Sequence, residues 1–322
     1  MEKEKAIEVT GLTKVYDGLV AVESISFEVH AGEVFGFLGP NGAGKTTTIR
    51  MLTGLSKPNS GSAHVLGCDI RSEIVKAKKG FGVVPELSNM YDELTGLENL
   101  IFMGQLYGVP SHERQTRAEE LLKTFGLYER KNSRFATYSR GMKRALTIAA
   151  ALVHQPRLLF LDEPTVGLDV VAARNLRTLI QRLRSEGITV FLTTHYLEEA
   201  DILCSRIALL VKGKIITTDT PAKLKVMAEE KPALEISFKA PLPEAKEQLG
   251  QRLPGTMVVR VTNRVRVYSG DTAAVLETVL KYAREMGTEI ASVNSLKPTL
   301  EDAFVKLTGL SPLVMAAEKG GR

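Results

Sequence analysis

The stretch from Tyr138 to Asp169 decides the fold of this chain, and it reads YSRGMKRALTIAAALVHQPRLLFLDEPTVGLD. A short Ser/Gly turn precedes a helical pattern, and the apolar run LLFL then ends in the acidic pair Asp162-Glu163. Open α/β sheets bind their ligands at the carboxyl ends of the strands. The stretch therefore predicts a buried strand that delivers two carboxylates to a site.

Length and composition indicate a globular protein of more than one domain. The chain has 322 residues, of which 44% are hydrophobic and 25% charged, whereas one domain usually has about 100–200 residues. The net charge of +5 comes from dispersed lysines and arginines, so we expect a solvated surface and no nucleic-acid partner. Cys68 and Cys204 lack the spacing of a zinc site or disulfide framework. This cysteine usage fits a reducing cytoplasm. No apolar run approaches the ~18 residues of a membrane span, so we expect that the chain does not cross a membrane alone.

A glycine-rich loop lies upstream of the acidic strand. Its sequence, Gly39-Pro40-Asn41-Gly42-Ala43-Gly44-Lys45-Thr46, matches GxxxxGK[ST] and stands between a predicted strand at 33–38 and a predicted helix at 46–52. The glycines let backbone N–H groups turn toward a phosphate, and the helix N-terminus adds its positive dipole end. We expect Lys45 to contact the β- and γ-phosphates of ATP and the Thr46 hydroxyl to bind Mg²⁺. Thr47 belongs to the same predicted nucleotide site.

Two strand ends should meet this loop. Asp162 follows the run Leu158 to Leu161, where Mg²⁺ held by phosphates needs a protein oxygen ligand. Glu163 would then accept a proton from the attacking water. Adjacent acids can also simply cap a turn, but their place after a phosphate loop favours catalysis. His195 directly follows the apolar run Ile188 to Thr194 and should emerge at the same edge, although an isolated His at a strand end is usually structural.

The rest of the first 220 residues alternates between strand and helix patterns, which predicts a parallel sheet covered by helices. Thr95 to Glu98 has capping-box spacing, which predicts a helix through 99–107. A helix between Asp169 and Gly187 is expected to separate the two apolar strands. Further strands are predicted at 7–16 and 22–29, with a hairpin around 211–215.

Beyond Pro221 the motifs stop and the pattern changes. Strands are predicted at 234–238, 257–261, 265–268 and 289–293, and helices at 243–253 and 272–286, followed by a last helix at 300–307. This β-α-β-β-α-β order is the ferredoxin-like arrangement.

Taken together, these motifs resemble the ATP-binding subunit of ATP-binding-cassette (ABC) transporters. The region ending in KPTLEDAF, Lys297 to Phe304, is similar to the C-terminal extension of ABC-2-type exporter ATPases, including the daunorubicin-resistance-like group. The resemblance implies an α/β P-loop NTPase cassette at 1–220, with a mixed sheet core and a helical subdomain at about 87–155. It also implies a small ferredoxin-like α+β domain at 221–310 and a tail at 311–322.

The resemblance assigns roles to further residues. His195 would be the switch histidine that contacts the γ-phosphate and the attacking water. Tyr16 would stack on adenine, although a tyrosine near a turn is commonly surface packing. Ser139 and Gly141 would present N–H groups to the γ-phosphate held by a partner subunit. Glu86 lies where the family has its Q-loop, in Gly82-Val83-Val84-Pro85-Glu86, and would reach Mg²⁺ from there.

The chain departs from the family pattern at two places. The usual signature LSGGQ is replaced by Tyr138-Ser139-Arg140-Gly141-Met142. Met142 lacks the polar group of Gln, which predicts a weaker contact across the dimer unless Arg140 compensates by its charge. Glu86 stands where the family has Gln, and its carboxylate would repel a γ-phosphate if the metal were displaced.

The resemblance also implies partners. Two such subunits would close head to tail around ATP, with a homodimer preferred to a heterodimer, and would drive a separate transmembrane permease from the inner face of the cell membrane. A permease helix is expected beside the Q-loop, at 86–94. The alternative is a soluble ABC ATPase that acts on nucleic acid or a protein complex through its C-terminal domain. The strands predicted at 257–261 and 265–268 lack the aromatic RNP pattern, which disfavours RNA binding.

Overall fold

The chain forms two compact units, Met1–Pro221 together with Leu310–Arg322, and Ala222–Gly309. The computed structural model describes residues 4–228, 233–240, 242, 244–261, 264–269, 271–296, 298–310 and 313–316. Within these ranges, no helix combines the length and the apolar character needed to cross a membrane. Most of the predicted tail at 311–322 lies outside the described residues.

Up to Asp219, the described residues of the first unit form ten strands and seven α-helices. Its strands are β1 (Lys5–Tyr16), β2 (Leu19–His30), β3 (Val34–Leu38), β4 (Ser60–Val65), β5 (Cys68–Asp69), β6 (Phe81–Val84), β7 (Leu158–Asp162), β8 (Thr189–Thr194), β9 (Arg206–Val211) and β10 (Lys214–Asp219). Its helices are α1 (Lys45–Leu52), α2 (Ile74–Lys78), α3 (Gly96–Leu106), α4 (Ser111–Thr124), α5 (Arg140–Leu152), α6 (Val170–Ser185) and α7 (Leu197–Leu203).

A six-stranded sheet in the order β10-β9-β3-β8-β7-β6 organises this unit. The strands from β9 to β6 are parallel to their neighbours, and β10 pairs antiparallel with β9. The predicted parallel sheet is therefore confirmed. Leu38 lies opposite Thr194, and Asp162 lies opposite Thr193, so the phosphate loop, the acidic pair and His195 all leave the sheet at one edge.

The main core lies where β1 and β2 pack against this sheet. The strands VFGFL, LLFLD and TVFLTT are buried along their whole length, as expected for parallel strands covered on both faces. Ring centroids in the core are 5.3 Å (Phe27 to Phe37) to 6.0 Å (Phe27 to Phe191) apart. Each buried side chain of this size contributes about 1.5–3 kcal/mol. The core thus fixes the sheet edge that carries the site.

Helices α3, α4 and α5 form a second cluster around Leu100, Leu122 and Leu146. The predicted capping box is confirmed, because Thr95 accepts a hydrogen bond from the Glu98 amide and the Glu98 carboxylate accepts one from the Thr95 amide. The helix runs from Gly96 to Leu106, so it begins three residues earlier than predicted.

The second unit begins within α8 (Pro221–Ala228) and contains a four-stranded antiparallel sheet in the order β12-β13-β11-β14. Two helices pack on one face of this sheet, where Leu249 and Tyr282 join the core formed by Ile236 and Val267. Pro243, the first residue of the predicted helix 243–253, lies outside the described residues. The elements are β11 (Ala233–Phe238), α9 (Ala245–Arg252), β12 (Met257–Val261), β13 (Arg264–Tyr268), α10 (Thr272–Glu285), β14 (Ile290–Leu296) and α11 (Leu300–Thr308), and α12 (Leu313–Ala316) follows them.

Several elements of the first unit were not predicted from the sequence, among them β4, β6 and α2. Strand β4 reads SGSAHV and becomes a strand because it pairs antiparallel with β1 and buries Ala63 and Val65. Strand β6 is only four residues long, and α2 has five residues. Elements this short depend on tertiary partners, since local sequence periodicity is too brief to reveal them.

Candidate active site

The phosphate loop requires glycine at particular positions. Gly42 and Gly44 have φ angles of 77° and 105°, a region that side chains other than hydrogen rarely tolerate. A Cβ at Gly44 would lie 2.6 Å from the carbonyl oxygen of Ala21, and one at Gly39 would overlap the carbonyl oxygen of Leu210. One side of the loop therefore packs closely against the backbone at Ala21 and Leu210, and its other side faces a cavity.

Lys45 begins α1 and is only 5% exposed. Its Nζ donates hydrogen bonds to the carbonyl oxygens of Gly39 at 2.6 Å and Pro40 at 3.1 Å. It also forms an ion pair with Glu163 Oε1 at 3.0 Å. The ammonium group is thus held across the mouth of the loop by its own backbone and by an acid from the end of β7.

Glu163 has a left-handed backbone, with φ at 46°, which costs about 1–3 kcal/mol in a residue other than glycine. Its amide donates to Thr193 Oγ1 at 3.0 Å, and this contact holds the strained peptide in place. The side chain then reaches His195, whose Nδ1 lies 2.9 Å from Glu163 Oε2. Lys45, Glu163 and His195 are therefore joined in one chain of contacts.

The charge state of Glu163 follows from these contacts. Burial is the largest influence and acts to raise the pKa of the Glu163 carboxyl, but His195 and Lys45 together bring it below its ordinary value. The carboxylate is therefore ionised at neutral pH. A group that drew Lys45 away would remove part of this support and raise the pKa of Glu163 toward the range of a general base.

Asp162 lies beneath the loop and is 4% exposed. Its Oδ1 accepts hydrogen bonds from Thr193 Oγ1 at 2.6 Å and from Thr46 Oγ1 at 3.2 Å. Burial raises the pKa of Asp162, although both hydroxyls oppose this. A cation would relieve the cost of a buried carboxylate. Mg²⁺ typically uses one or two carboxylates together with phosphate oxygens, so Asp162 and Thr46 fit this ion.

A cavity of about 780 Å³ opens above these groups. Glu86 from the Q-loop faces it, as does Arg50 from α1. The lining residues are Ala21, Asn41, Gly42, Ala43, Gly44, Lys45, Thr46, Thr47, Arg50, Glu86, Glu163, Val166, Gly167, His195 and Tyr196. The cavity thus gathers the predicted loop residues from Asn41 to Thr47 together with Glu86, Glu163 and His195, whereas Gly39, Pro40 and Asp162 do not line it.

Tyr16 does not line this cavity. It ends β1, is 39% exposed, and its hydroxyl lies 3.2 Å from Ser56 Oγ. The ammonium group of Lys14 stands 4.7 Å from its ring centroid. The ring is therefore available on the surface, and its stacking on adenine stays a prediction.

Ser139 and Gly141 also lie away from the phosphate-loop cavity. Ser139 caps α5 by accepting a hydrogen bond from the Met142 amide at 3.3 Å. Both residues line a different groove of about 720 Å³, which includes Asp169 and Leu168. Within one subunit, this turn and the phosphate loop therefore belong to separate spaces.

Three buried polar residues of the site were missed from the sequence. Thr193 bridges Asp162 and the Glu163 amide, as described above. Glu199 on α7 is 5% exposed and accepts hydrogen bonds from Thr165 at 2.7 Å and Thr194 at 3.3 Å. Arg144 on α5 donates to four backbone carbonyls. The polar pair TT at the end of an apolar strand was a usable signal for Thr193, whereas Arg144 and Glu199 looked like ordinary charges on helices.

The chain is similar in sequence and in structure to known proteins. The ABC transporter family model matches residues 22–166. The chain is 46% identical over 221 residues to the daunorubicin/doxorubicin resistance ATP-binding protein DrrA of Streptomyces peucetius, covering 69% of this chain and 67% of that protein. It is 36% identical over 306 residues to the Nod factor export ATP-binding protein I of Rhizobium leguminosarum bv. viciae, covering 94% and 95%. A solved dimeric ATP-binding cassette in a post-hydrolysis state, bound to ADP and Pi, matches with a TM-score of 0.61 at 26% identity, over 66% of this chain and 98% of that one.

Proposed function

This chain belongs to the ABC transporter family as an ATP-binding subunit of an exporter, and we propose that two copies close around ATP and hydrolyse it to drive a separate membrane subunit. The observation that carries the proposal is the buried chain of contacts from Lys45 through Glu163 to His195 at the mouth of a phosphate loop. It joins Lys45, at the start of α1, to Glu163 and His195, which directly follow the ends of β7 and β8.

Binding of ATP would rearrange this chain of contacts. The phosphates would compete with Glu163 and with the carbonyls of Gly39 and Pro40 for Lys45 Nζ, because a multiply charged anion attracts the ammonium group more strongly. The loop amides and the N-terminus of α1 would hold the same oxygens. Asp162 and the Thr46 hydroxyl would hold Mg²⁺, with Glu86 nearby, and this ion supplies charge neutralisation to the phosphates.

Hydrolysis would then depend on Glu163. Once Lys45 turns to the phosphates, the carboxylate loses a cation and its pKa rises, so that it can accept a proton from water. His195 keeps the carboxylate oriented through the 2.9 Å contact to Oε2 and would face the γ-phosphate. Binding of ATP would in this way activate Glu163 as the general base for hydrolysis of the same ATP.

Closure of a dimer is supported by the separation of the two spaces. Ser139 and Gly141 line a groove apart from their own phosphate loop, so these amides would serve the nucleotide of a second subunit. Val171, which lines the same groove, and its chain neighbour Val170 are 68% and 83% exposed. Exposed apolar side chains beside a predicted contact loop are typical of an interface. A homodimer is the simplest arrangement of this kind.

The membrane subunit is proposed to dock beside the Q-loop and so hold the chain at the inner face of the membrane. Leu87 and Tyr91 are 82% and 49% exposed in this segment. Cys68 and Cys204 are both buried, so a cysteine introduced as Tyr91→Cys would be the reactive thiol of the folded chain. We expect it to crosslink to a co-expressed permease, and capture of no permease would contradict docking at this place.

The cargo is proposed by analogy with the relatives. Their names refer to daunorubicin and doxorubicin resistance and to Nod factor export. We therefore propose that this subunit powers export of a drug-like molecule, a lipid or a polysaccharide.

The experiment that tests the proposal is steady-state ATPase activity of the full chain over a series of protein concentrations. Activity per subunit should rise with concentration, because each complete site needs two subunits. Glu163→Gln should still bind ATP but hydrolyse it at least ~10²-fold more slowly. Constant activity per subunit would contradict the shared site, and normal turnover by Glu163→Gln would move the role of base to another residue.

A further inference from the structure

Arg144 connects two segments of the active site through backbone carbonyls. It lies on α5, five residues after Ser139, and is 8% exposed. Its Nε donates to Pro164 O at 2.9 Å, and its Nη2 donates to Asp162 O at 2.9 Å. Its Nη1 donates to Pro85 O at 2.5 Å and to Glu86 O at 3.3 Å. One guanidinium group thus holds both the end of β7 and the start of the Q-loop.

Burying a guanidinium group is costly unless its donors are satisfied. Burial lowers the pKa of Arg144 to about 10, and the carboxylates of Asp162, Glu86 and Glu163 oppose this shift. Arg144 therefore remains cationic at neutral pH. Its planar fork sends donors in several fixed directions, which a lysine ammonium cannot reproduce. The hydrogen-bonding pattern is that of a clamp between two backbone segments.

Arg144 also has an electrostatic role, because several carboxylates lie near its guanidinium group. Glu86 and Glu163 line the cavity that is also proposed to receive the phosphates of ATP, and the carboxylate of Asp162 also interacts electrostatically with Arg144. Like charges in a partly buried site repel one another strongly. Arg144 is the buried cation that approaches these acids from the side of α5, whereas Lys45 approaches them from the phosphate loop.

We propose that Arg144 is a positioning residue for hydrolysis, which clamps the Glu86 segment to the Asp162–Pro164 segment and offsets the negative charge that Glu86 adds to the site. The clamp links the turn at Ser139, through one turn of α5, to the peptide that carries Glu163. It rests on the proposed function, because it acts through Glu163 and does not itself touch the nucleotide.

Two substitutions separate the fork from the charge. Arg144→Lys keeps the charge and loses the fork, and Arg144→Gln loses both. We expect Arg144→Lys to lower kcat about 10- to 100-fold with the Kd for ATP within about 3-fold, since small misplacements of catalytic groups cost up to ~10²-fold. Arg182, on α6 and 57% exposed at its side chain, provides matched controls as Arg182→Lys and Arg182→Gln, which should behave as wild type.

The charge is tested by adding Glu86→Gln to each variant. In the Arg144→Gln background it should recover at least ~3-fold of the lost kcat, because it removes a carboxylate that has lost its cation. In the Arg144→Lys background it should recover nothing, since the charge was never lost. This split between two backgrounds is not expected of a residue that merely supports the fold.

Each outcome decides a part of the proposal. Normal kcat in Arg144→Lys would overturn the clamp, and so would a parallel loss of ATP binding and of melting temperature. Equal recovery in both backgrounds, or recovery in neither, would overturn the role of the charge. If Glu163→Gln turns over normally, the proposed function itself is wrong. If Glu163→Gln is inactive while Arg144→Lys is normal, only the present inference is wrong.

Discussion

The two units of this chain bury charge in different ways. In the first unit, Lys45, Arg144, Asp162, Glu163 and Glu199 are each less than 9% exposed. In the described part of the second unit, Glu235 is the charged side chain buried to this degree. The first unit therefore concentrates several buried charges near one sheet edge, whereas the described residues of the second contain one.

The partners of these charges explain the difference. Lys45 and Glu163 contact each other and leave their outer sides to a cavity, and Glu163 also has a strained backbone. Glu235 lies between Arg264 at 2.6 Å and Arg266 at 3.0 Å on the adjacent strand β13. Desolvating a charge costs several kcal/mol. A fold that pays this cost beside an open cavity indicates chemistry, whereas a closed set of partners within a sheet indicates structure.

Among the substitutions that test this contrast, Lys45→Ala is expected to have the largest effect. We expect it to abolish tight ATP binding and raise the Kd at least about 10-fold, because a charge-assisted hydrogen bond contributes about 1.5–3 kcal/mol. Turnover should be lost as well. Equilibrium binding of ATP by the full chain measures this directly.

Lys76→Ala is the matched control, since Lys76 is 72% exposed at its side chain and pairs with Glu73 on the surface. It should bind ATP as the wild type does. Unchanged affinity in Lys45→Ala would show that this lysine does not bind the nucleotide. It would also contradict the interpretation that buried charges beside the cavity indicate catalysis.

An intermediate effect is expected from Thr193→Val. This side chain is fully buried, donates to Asp162 at 2.6 Å and accepts from the Glu163 amide at 3.0 Å. Valine would leave that amide without a partner, which costs about 1–3 kcal/mol, and would free the strained peptide. We expect kcat to fall about 10-fold and the melting temperature to drop.

Thr193→Ser supplies the control, because it keeps the hydroxyl and removes a methyl group. Recovery of most of the lost kcat in Thr193→Ser would show that the hydroxyl holds the peptide. An equal loss in both variants would assign the effect to packing in β8 instead.

The same contrast explains what could be predicted from the sequence. The residues from Gly39 to Thr46 and the pair Asp162-Glu163 are contiguous and follow apolar strands, so local pattern and topology bring them to one edge. His195 was found for the same reason. Arg144 was missed because its carbonyl partners lie 18 to 59 positions away along the chain, and a helical pattern does not show where a long side chain will reach.

In the second unit, the secondary structure could be predicted from the sequence, but the partners of its buried charge could not. Alternating apolar residues in β11 and β13 and the helical periodicity of α10 were sufficient to predict these elements approximately, because each buries one face. The carboxylate of Glu235 lies on a strand whose apolar residues face the core, and nothing in the pattern signals that Arg264 and Arg266 flank it. Register between strands determines that contact, and a single strand does not contain its own register.

The smallest effect is expected from Glu235→Gln, which tests the structural side of the comparison. Burial raises the pKa of Glu235, but the two arginines bring it below its ordinary value of 4.5. The ionised form therefore stabilises the fold above pH 4.5, and this contribution fades as the pH falls through the lowered pKa. Because both arginines are partly exposed, we expect a loss of about 1 kcal/mol at pH 7.

Thermal unfolding of the wild type and of Glu235→Gln should thus differ at pH 7 and converge in acid, while kcat and the KM for ATP remain equal at neutral pH. The pairing of a stability change with unchanged kinetics is what separates a structural charge from a catalytic one. A fall in kcat without a fall in melting temperature would break the comparison, because it would mean that the second unit acts on ATP hydrolysis through Glu235.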